Sequence, residues 1–259
     1  MSRSIKTAAV QFTIALGETE PNLRHVRQEL TRLAADGVRL AVLPEMWATG
    51  FAYKQLAELA RQTGGIVEEL AALSRQHGMV IIGSLPEPHD GKVYNTAYVL
   101  DNGELRGKYR KIHLFSLMQE DRSFDGGENW LLVETSVGRI GVFICYDLRF
   151  PELARRLAVE GAEILVVPGE WPKPRQEHWR TLLRARAIEN QLFVVAANCC
   201  GLVGKLDFFG MSMIIGPQGE VLAEGGYEPA AIVANLDMAA MAAWRAQIPC
   251  FNDRKPACY

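Results

Sequence analysis

The chain has 259 residues, of which 49% are hydrophobic. Its formal net charge of −2 and its pI near 6.2 leave no bulk basic field for nucleic acid or anionic lipid, so neither partner is expected. No apolar run of about 18 residues and no apolar leader segment occurs, so neither a membrane span nor secretion is expected. Its five cysteines form no C-x-x-C pair, so the sequence predicts no disulfide framework and no zinc site, and the cytoplasm is the expected location.

Short apolar runs alternate with helical patterns along the chain, which is typical of an α/β protein. In chain order, the runs predict strands at residues 7–12, 40–43, 79–85, 93–100, 105–109, 130–134, 139–144, 164–167, 193–197, 212–215, 221–223 and 231–235. Apolar stripes at helical spacing predict helices at residues 21–36, at 66–77, from Pro151 onward and at 178–190. No linker divides these elements, so residues 1–259 are predicted to form a single domain.

One segment in the first half of the chain resembles one in the second half. Residues 39–47 read Arg-Leu-Ala-Val-Leu-Pro-Glu-Met-Trp, and residues 163–171 read Glu-Ile-Leu-Val-Val-Pro-Gly-Glu-Trp. Each is an apolar strand that ends in proline, with a glutamate and a tryptophan beyond it. The similarity predicts two related halves, and strands this apolar predict two sheets with helices on their outer faces.

Cys145 follows the apolar run at residues 139–144, just before the helix that begins at Pro151. A side chain at such a strand-to-helix junction can point into the crevice where α/β sheets commonly bind ligands. A buried thiol is also an ordinary small hydrophobic group, so its position alone does not make Cys145 a nucleophile. Asp147 and Arg149 in the intervening turn are predicted to be structural, as an ion pair that fixes the turn.

A nucleophilic thiol needs a base for its proton and stabilisation of its thiolate. One possibility is a Cys-His-Asn set, for which His113 and Asn198 are the candidates. The other uses a carboxylate as the base and an ammonium as the electrostatic partner. Glu45 follows a proline at the end of an apolar strand, and Lys111 follows the predicted hairpin. Each alone is compatible with an ordinary solvated charge, but together with Cys145 they favour the second possibility.

Three motifs resemble the signatures of the nitrilase superfamily of carbon–nitrogen hydrolases, in the same order and spacing. They are Leu43-Pro-Glu45, Tyr109-Arg-Lys111-Ile-His-Leu-Phe115 and Cys145-Tyr-Asp-Leu-Arg-Phe-Pro-Glu152. The resemblance runs essentially from end to end and implies a four-layer αββα sandwich. It also implies a homodimer or larger homo-oligomer, although the tail at residues 254–259 departs from the family pattern.

The resemblance further implies roles for single residues. Glu45 would be the general base, Lys111 the ammonium that stabilises the oxyanion, and Cys145 the nucleophile. The backbone N–H of Tyr146 would also bind the oxyanion, and Glu120 would be the supporting carboxylate that family members carry. No metal or cofactor is required by this mechanism.

The residues around the motifs resemble amidases rather than nitrile-cleaving enzymes. Tyr146-Asp147 follows the cysteine where nitrile-cleaving members have Trp-Glu. Residues 170–179 resemble the small bacterial ω-amidase branch, which hydrolyses the terminal amide of 2-oxo dicarboxylic acid monoamides such as 2-oxoglutaramate and 2-oxosuccinamate. On this resemblance Trp171 would line the acyl pocket, and Arg175 would meet the carboxylate of a small-molecule substrate.

Two kinds of alternative remain open from the sequence. Within the superfamily, the substrate could instead be deaminated glutathione or an N-carbamoyl compound. Outside enzymes, the chain could be a non-catalytic binding protein that has kept the fold. Such a protein would be expected to lack one of the three motif residues, and this chain has all three.

Overall fold

A computed structural model describes residues 4–258. Within that range the strands alternate with helices in the first and second halves, as the hydrophobic pattern predicts. In chain order the strands are β1 (Ser4–Gln11), β2 (Leu40–Val42), β3 (Val80–His89), β4 (Lys92–Asp101), β5 (Glu104–Arg110), β6 (Leu131–Thr135), β7 (Gly138–Val142), β8 (Ile164–Gly169), β9 (Phe193–Asn198), β10 (Cys200–Val203), β11 (Leu206–Phe209), β12 (Met213–Ile215), β13 (Val221–Glu224) and β14 (Ala230–Asp237).

Six α-helices accompany these strands within residues 4–258. They are α1 (Thr19–Ala35), α2 (Leu56–Ala60), α3 (Thr63–His77), α4 (Pro151–Val159), α5 (Gln176–Asn190) and α6 (Met238–Gln247). Every strand and helix predicted from the sequence is present, with bounds that differ by a few residues. The sequence analysis missed α2, the hairpin of β10 and β11, and α6, of which α6 begins where the Asp237 side chain accepts hydrogen bonds from the N–H groups of Ala239 and Ala240.

Two six-stranded mixed sheets form the centre of the molecule. The first has the strand order β14-β1-β2-β3-β4-β5, and the second has the order β13-β12-β9-β8-β7-β6. In each sheet three successive strands run parallel and the others are antiparallel, so the two halves repeat one plan. The similarity seen between residues 39–47 and 163–171 corresponds to β2 and β8, which lie against each other.

The alternation of side chains along β1 and β3 explains the layers. Ala8 and Ile81 belong to the cluster that packs under α1 and α3, whereas Ala9 and Ile82 belong to the core shared with the second sheet. Neighbouring residues of a strand point to opposite faces, so each of these strands is buried on both sides. Helices α4 and α5 cover the other face of the second sheet. The fold is therefore the predicted αββα sandwich.

The turn that follows β7 is built around a buried aspartate. Cys145 begins a short 3₁₀ helix, Cys145–Arg149. Asp147 Oδ2 accepts hydrogen bonds from the N–H of Ile144 at 2.9 Å and from the hydroxyl of Tyr109 at 2.8 Å. Its Oδ1 accepts the N–H of His113 at 3.0 Å and lies 2.7 Å from His113 Nδ1. Asp147 therefore ties the turn to the segment after β5.

The predicted ion pair between Asp147 and Arg149 is wrong. Both oxygens of Asp147 are already occupied by hydrogen-bond donors, among them the backbone and side chain of His113. The guanidinium of Arg149 instead lies 4.8 Å from the ring centroid of Trp171, and its Nη2 is 3.3 Å from His178 Nδ1. Arg149 thus points away from the turn, which Asp147 fixes without it.

We expect Asp147→Ala to lower the free energy of unfolding by about 2–4 kcal/mol, because it leaves several buried donors without an acceptor. Urea denaturation followed by circular dichroism measures the change. Asp253, an exposed aspartate in the C-terminal tail, provides the control, and Asp253→Ala should alter the unfolding free energy by less than about 0.5 kcal/mol. Equal effects of the two substitutions would contradict the assigned role of Asp147.

Candidate active site

A buried ammonium group lies between two buried carboxylates at the carboxyl ends of the central strands. Lys111 Nζ is 2.8 Å from Glu45 Oε1 and 2.8 Å from each carboxylate oxygen of Glu120. All three side chains are almost fully removed from solvent. The structure thus brings together the predicted base, the predicted ammonium and the predicted supporting carboxylate.

Backbone hydrogen bonds from different elements hold these three side chains. The N–H of Lys111 donates to Asn95 O at 2.8 Å, and the Asn95 side chain donates to Glu45 Oε1 at 2.7 Å. The N–H of Phe115 donates to Glu120 Oε2 at 2.9 Å, which fixes the loop that carries Glu120. Each carboxylate is therefore held by a further donor besides the ammonium.

Two residues at this site have left-handed backbone conformations that non-glycine residues seldom adopt. Met46, directly after Glu45, has φ = 47°, and Cys145 has φ = 44°. Such conformations cost about 1–3 kcal/mol each and persist only where the surroundings impose them. At Met46 the N–H donates to Ser84 Oγ at 2.9 Å. The sharp turns aim the side chains of Glu45 and Cys145 toward each other at the strand ends.

The thiol of Cys145 is protonated at rest. Burial is the main reason that its pKa lies well above the ordinary value, and the negative charge of Glu45 raises it further. Lys111 acts in the opposite direction but does not overcome these two effects. A nucleophilic reaction at this sulfur therefore requires a base to take the proton, and Glu45 is the adjacent carboxylate.

Lys111 keeps its positive charge despite its burial. Loss of solvent alone would lower its pKa, but the charges of Glu45 and Glu120, with a smaller contribution from Cys145, raise the pKa well above the ordinary value. Burial also raises the pKa of Glu120, an effect that Lys111 partly offsets. The site therefore holds a permanent cation where negative charge would develop during attack on a carbonyl.

A third carboxyl group, which the sequence analysis did not assign, lies beside this set. Glu170 is 3% exposed, and its N–H donates to Glu45 Oε2 at 3.0 Å. Burial above all, then the charges of Glu45 and Glu120, raises its pKa well above the ordinary value, which favours the protonated form of its carboxyl group. Its position in the sequence could have indicated a role in the site. Glu170 follows the proline at the end of β8, as Glu45 follows the proline at the end of the similar segment at residues 39–47.

A narrow chamber opens onto the thiol. Its volume is about 10 Å³, room for about one water. An adjoining cavity of about 580 Å³ shares Met118 and Glu170 with it. The chamber is lined by all of the pocket residues predicted from the sequence and by several that were not, namely Phe115, Met118, Glu120, Cys145, Tyr146, Arg149, Glu170, Trp171, Pro172 and Arg175.

The predicted pocket residues Trp171 and Arg175 are held by each other and by their neighbours. Trp171 Nε1 donates to Arg175 O at 3.0 Å, and the Arg175 guanidinium lies 5.5 Å from the ring centroid of Phe115. Tyr146 lies in the first turn of the 3₁₀ helix, where backbone N–H groups have no helical acceptor. The sequence analysis missed Arg149 as a lining residue because it had assigned that side chain to the turn.

The Cys-His-Asn alternative loses support from the geometry. His113 pairs with Asp147 and stacks on Phe150 at 3.6 Å between ring centroids. The side chain of Asn198 bonds the backbone of Trp171 and donates to Gly210 O at 2.9 Å. Both side chains are thus engaged in positioning backbone segments. They are not part of the chamber lining described above.

Residues 4–258 lack two further features. In that range, no group of three or more His, Cys, Asp or Glu side chains is arranged to hold a metal ion. Over the same residues, no helix combines the length and the apolar character needed to cross a membrane. All five cysteines are free, and Cys250 and Cys258 are exposed in the C-terminal tail.

Known proteins share both the sequence and the fold of this chain. The family model for carbon–nitrogen hydrolases matches residues 6–246. A 2-oxoglutaramate amidase from Bacillus subtilis (strain 168) is 38% identical over 255 residues, which cover 97% of this chain and 98% of the relative. The crystal structure of a carbon–nitrogen hydrolase from Helicobacter pylori G27 has a TM-score of 0.94 and 27% identity, covering 100% of this chain and 97% of that one.

A mutant of the amidase from Nesterenkonia sp. AN1 has a TM-score of 0.89 and 29% identity, covering 99% of this chain and 95% of that one. Its structure carries the acetamide moiety of fluoroacetamide covalently added at the active-site cysteine. The family model spans most of the chain, and the fold agrees with solved members over nearly its whole length. The chain therefore belongs to the carbon–nitrogen hydrolase family.

Proposed function

We propose that this protein hydrolyses the terminal amide of small 2-oxo dicarboxylic acid monoamides to the acid and ammonia. 2-Oxoglutaramate is the proposed main substrate and 2-oxosuccinamate a second one. The observation that carries the reaction class is the buried Lys111 ammonium between Glu45 and Glu120, beside the thiol of Cys145. The 2-oxoglutaramate amidase that is 38% identical supports the substrate.

In the first step Glu45 takes the proton of Cys145, and the sulfur attacks the amide carbon. The negative charge that forms on the carbonyl oxygen is stabilised by Lys111 and by the backbone N–H of Tyr146. The carbon–nitrogen bond then breaks, and Glu45 gives its proton to the leaving nitrogen, so that ammonia departs and a thioester remains on Cys145. The protonated resting thiol supports this sequence, because it requires a base.

In the second step Glu45 takes a proton from a water molecule, which attacks the thioester carbon. The carbon–sulfur bond breaks, the acid is released and Cys145 regains its proton. Glu120 keeps Lys111 in place through both of its oxygens while Glu45 gains and loses a proton. Glu120 is therefore a positioning residue that maintains the ammonium throughout the cycle.

The lining of the chamber supports an acidic substrate. Arg149 and Arg175 bring two guanidinium groups to a chamber whose other lining residues are aromatic and apolar side chains such as Trp171, together with Cys145, Glu120 and Glu170. Guanidinium groups bind carboxylates in bidentate geometry. Because the chamber holds about one water, a five-carbon acid requires side chains such as Met118 to move toward the adjoining cavity.

We also propose that the whole chain acts as one domain, as a cytoplasmic homodimer or larger homo-oligomer. Strands from both sheets contribute to one hydrophobic core, which supports a single domain. The assembly is proposed from the family resemblance. Exposed apolar side chains such as Ile188 and Leu222 are compatible with a subunit contact. Size-exclusion chromatography with light scattering measures the mass, and a monomer would contradict the assembly.

Cys145→Ala should abolish turnover, because it removes the nucleophile. Intact-mass spectrometry of the wild-type protein with a slow amide substrate should show an acyl adduct that the variant lacks. Cys199→Ala, which alters another buried cysteine, should keep both the adduct and the activity. An adduct that survives in Cys145→Ala would refute the assignment.

Glu45→Gln and Lys111→Met should remain folded and lose roughly 10²–10⁴-fold in kcat/KM, because each removes one charged group that acts in the transition state. His113→Asn should keep appreciable activity, since His113 serves the turn and not the thiol. Steady-state kinetics with circular dichroism as the folding control distinguishes these cases. If His113→Asn were as inactive as Cys145→Ala, the Cys-His-Asn mechanism would be preferred.

The substrate is tested by comparing kcat/KM for 2-oxoglutaramate, deaminated glutathione, an N-carbamoyl amino acid and an aliphatic nitrile. 2-Oxoglutaramate should be the best, because its free carboxylate can reach a chamber arginine while its amide reaches Cys145. The neutral nitrile offers no such anchor and should be poor. A tenfold advantage of the nitrile or the carbamoyl compound, about 1.4 kcal/mol in transition-state binding, would contradict the proposed branch. An advantage of deaminated glutathione would change the substrate but leave the mechanism.

A further inference from the structure

We infer that Glu170 is a specificity-determining residue whose carboxyl group donates a hydrogen bond to the 2-oxo oxygen of the substrate. The inference rests on the proposed function, since it concerns how a 2-oxo acid amide is recognised. It assigns a role to a residue that lies outside the three sequence motifs. The supporting observations are the position of Glu170, its unpartnered oxygen, its charge state and the shortage of other donors in the chamber.

Glu170 is rigidly positioned next to the reacting groups. Its N–H is bonded to Glu45 Oε2 at 3.0 Å, and the N–H of the following residue, Trp171, is bonded to Asn198 Oδ1 at 2.7 Å. Glu170 lines the chamber that contains Cys145 and also the adjoining cavity of about 580 Å³. A ligand attached to Cys145 that extends toward the larger cavity would therefore pass this carboxyl group.

One oxygen of this carboxyl group lacks a partner. Glu170 Oε2 is buried, and no hydrogen-bonding atom of residues 4–258 satisfies it. Leaving a buried polar atom unpaired costs about 1–3 kcal/mol, so natural proteins seldom do so without a reason. A ligand that supplies the missing partner would recover this free energy on binding.

The charges around Glu170 determine which kind of hydrogen bond its carboxyl group can form. Glu45 and Glu120 already share the single positive charge of Lys111, and a third buried anion beside them would add a further uncompensated charge. The neutral carboxyl group carries an O–H, so it can donate a hydrogen bond where an ionised carboxylate could only accept. It also does not repel a substrate that brings a carboxylate of its own.

Other buried lining groups are already engaged. Both oxygens of Glu120 bind Lys111, and Trp171 Nε1 donates to Arg175 O. On the proposed mechanism, the ammonium and the Tyr146 N–H are used by the amide oxygen, and the arginines by the carboxylate. A 2-oxo group is an additional acceptor between these two ends. Glu170 is a buried residue of the chamber whose carboxyl group has an unpartnered oxygen, and this group can donate to the 2-oxo oxygen.

The test compares three substrates that share a terminal amide and a carboxylate but differ at carbon 2. 2-Oxoglutaramate has an oxo group there, glutaramate has only hydrogens, and L-glutamine has an ammonium. Wild-type protein should show kcat/KM at least about tenfold higher for 2-oxoglutaramate than for glutaramate, the size expected of one hydrogen bond. L-Glutamine should be poor, because a neutral acid is not a counter-ion for the ammonium.

Three variants separate recognition from structure. Glu170→Leu removes the donor and should reduce the preference for 2-oxoglutaramate over glutaramate to about twofold or less, because kcat/KM for 2-oxoglutaramate falls more than kcat/KM for glutaramate. Glu170→Gln keeps the shape and supplies an N–H donor, so it should retain most of the preference. Glu68→Leu makes the same substitution at an exposed position of α3 and should change neither rate nor preference.

Several outcomes would overturn the inference. If Glu170→Leu lowers all rates equally, the residue is structural, and if Glu170→Gln loses the preference as fully as Glu170→Leu, the group is not a donor. If wild-type protein prefers L-glutamine, the carboxyl group is ionised. Failure of the proposed function would be visible in the rates of the wild-type protein alone. If that protein hydrolysed another class of amide efficiently and 2-oxoglutaramate negligibly, both the proposed function and the role of Glu170 would be rejected.

Discussion

The buried ion triad of Glu45, Lys111 and Glu120 is the constraint on which the rest of the site depends. The cost of burying an ammonium away from solvent is offset by its counter-charges and hydrogen bonds, and removing one partner lowers the stability because it leaves an uncompensated charge. The chain satisfies this condition with side chains from three separated segments, and Asn95 and Phe115 donate to the carboxylates. The same arrangement that makes burial possible keeps a cation and a base beside the thiol.

The remaining features of the site follow from that requirement. Left-handed conformations at Met46 and Cys145 turn two strand ends sharply, and Asp147 holds the second turn through four donor contacts. Burial above all, and then the charges of Glu45 and Glu120, raises the pKa of Glu170 well above the ordinary value, and the single charge of Lys111 only partly offsets this effect. Electrostatics thus distinguishes three neighbouring glutamates, for which we propose the roles of a base, a support and a hydrogen-bond donor.

Much of the fold and the centre of the proposed site could be predicted from sequence, because both depend on local sequence patterns. The alternation of apolar residues located the long strands, and the motifs around Glu45, Lys111 and Cys145 located the site. The contacts that failed or were missed join residues distant in the chain. Asp147 bonds His113 instead of Arg149, and Glu170 meets Glu45 across 125 positions. The hairpin of β10 and β11 is short and only partly buried, so its periodicity gave little signal.

The interface between the two sheets determines at which stage of folding activity can appear. Glu45 extends from the first sheet, yet its N–H is bonded to Gly169 O and its carboxylate accepts the N–H of Glu170, both at the end of β8 in the second sheet. The first half alone supplies Asn95 and Lys111 to Glu45 Oε1, but the donor to Oε2 and the thiol of Cys145 come from the second half. The reactive state exists only after the halves have docked in register. Enzymatic turnover is thus a late marker of maturation, one that a partly assembled intermediate with native secondary structure would lack.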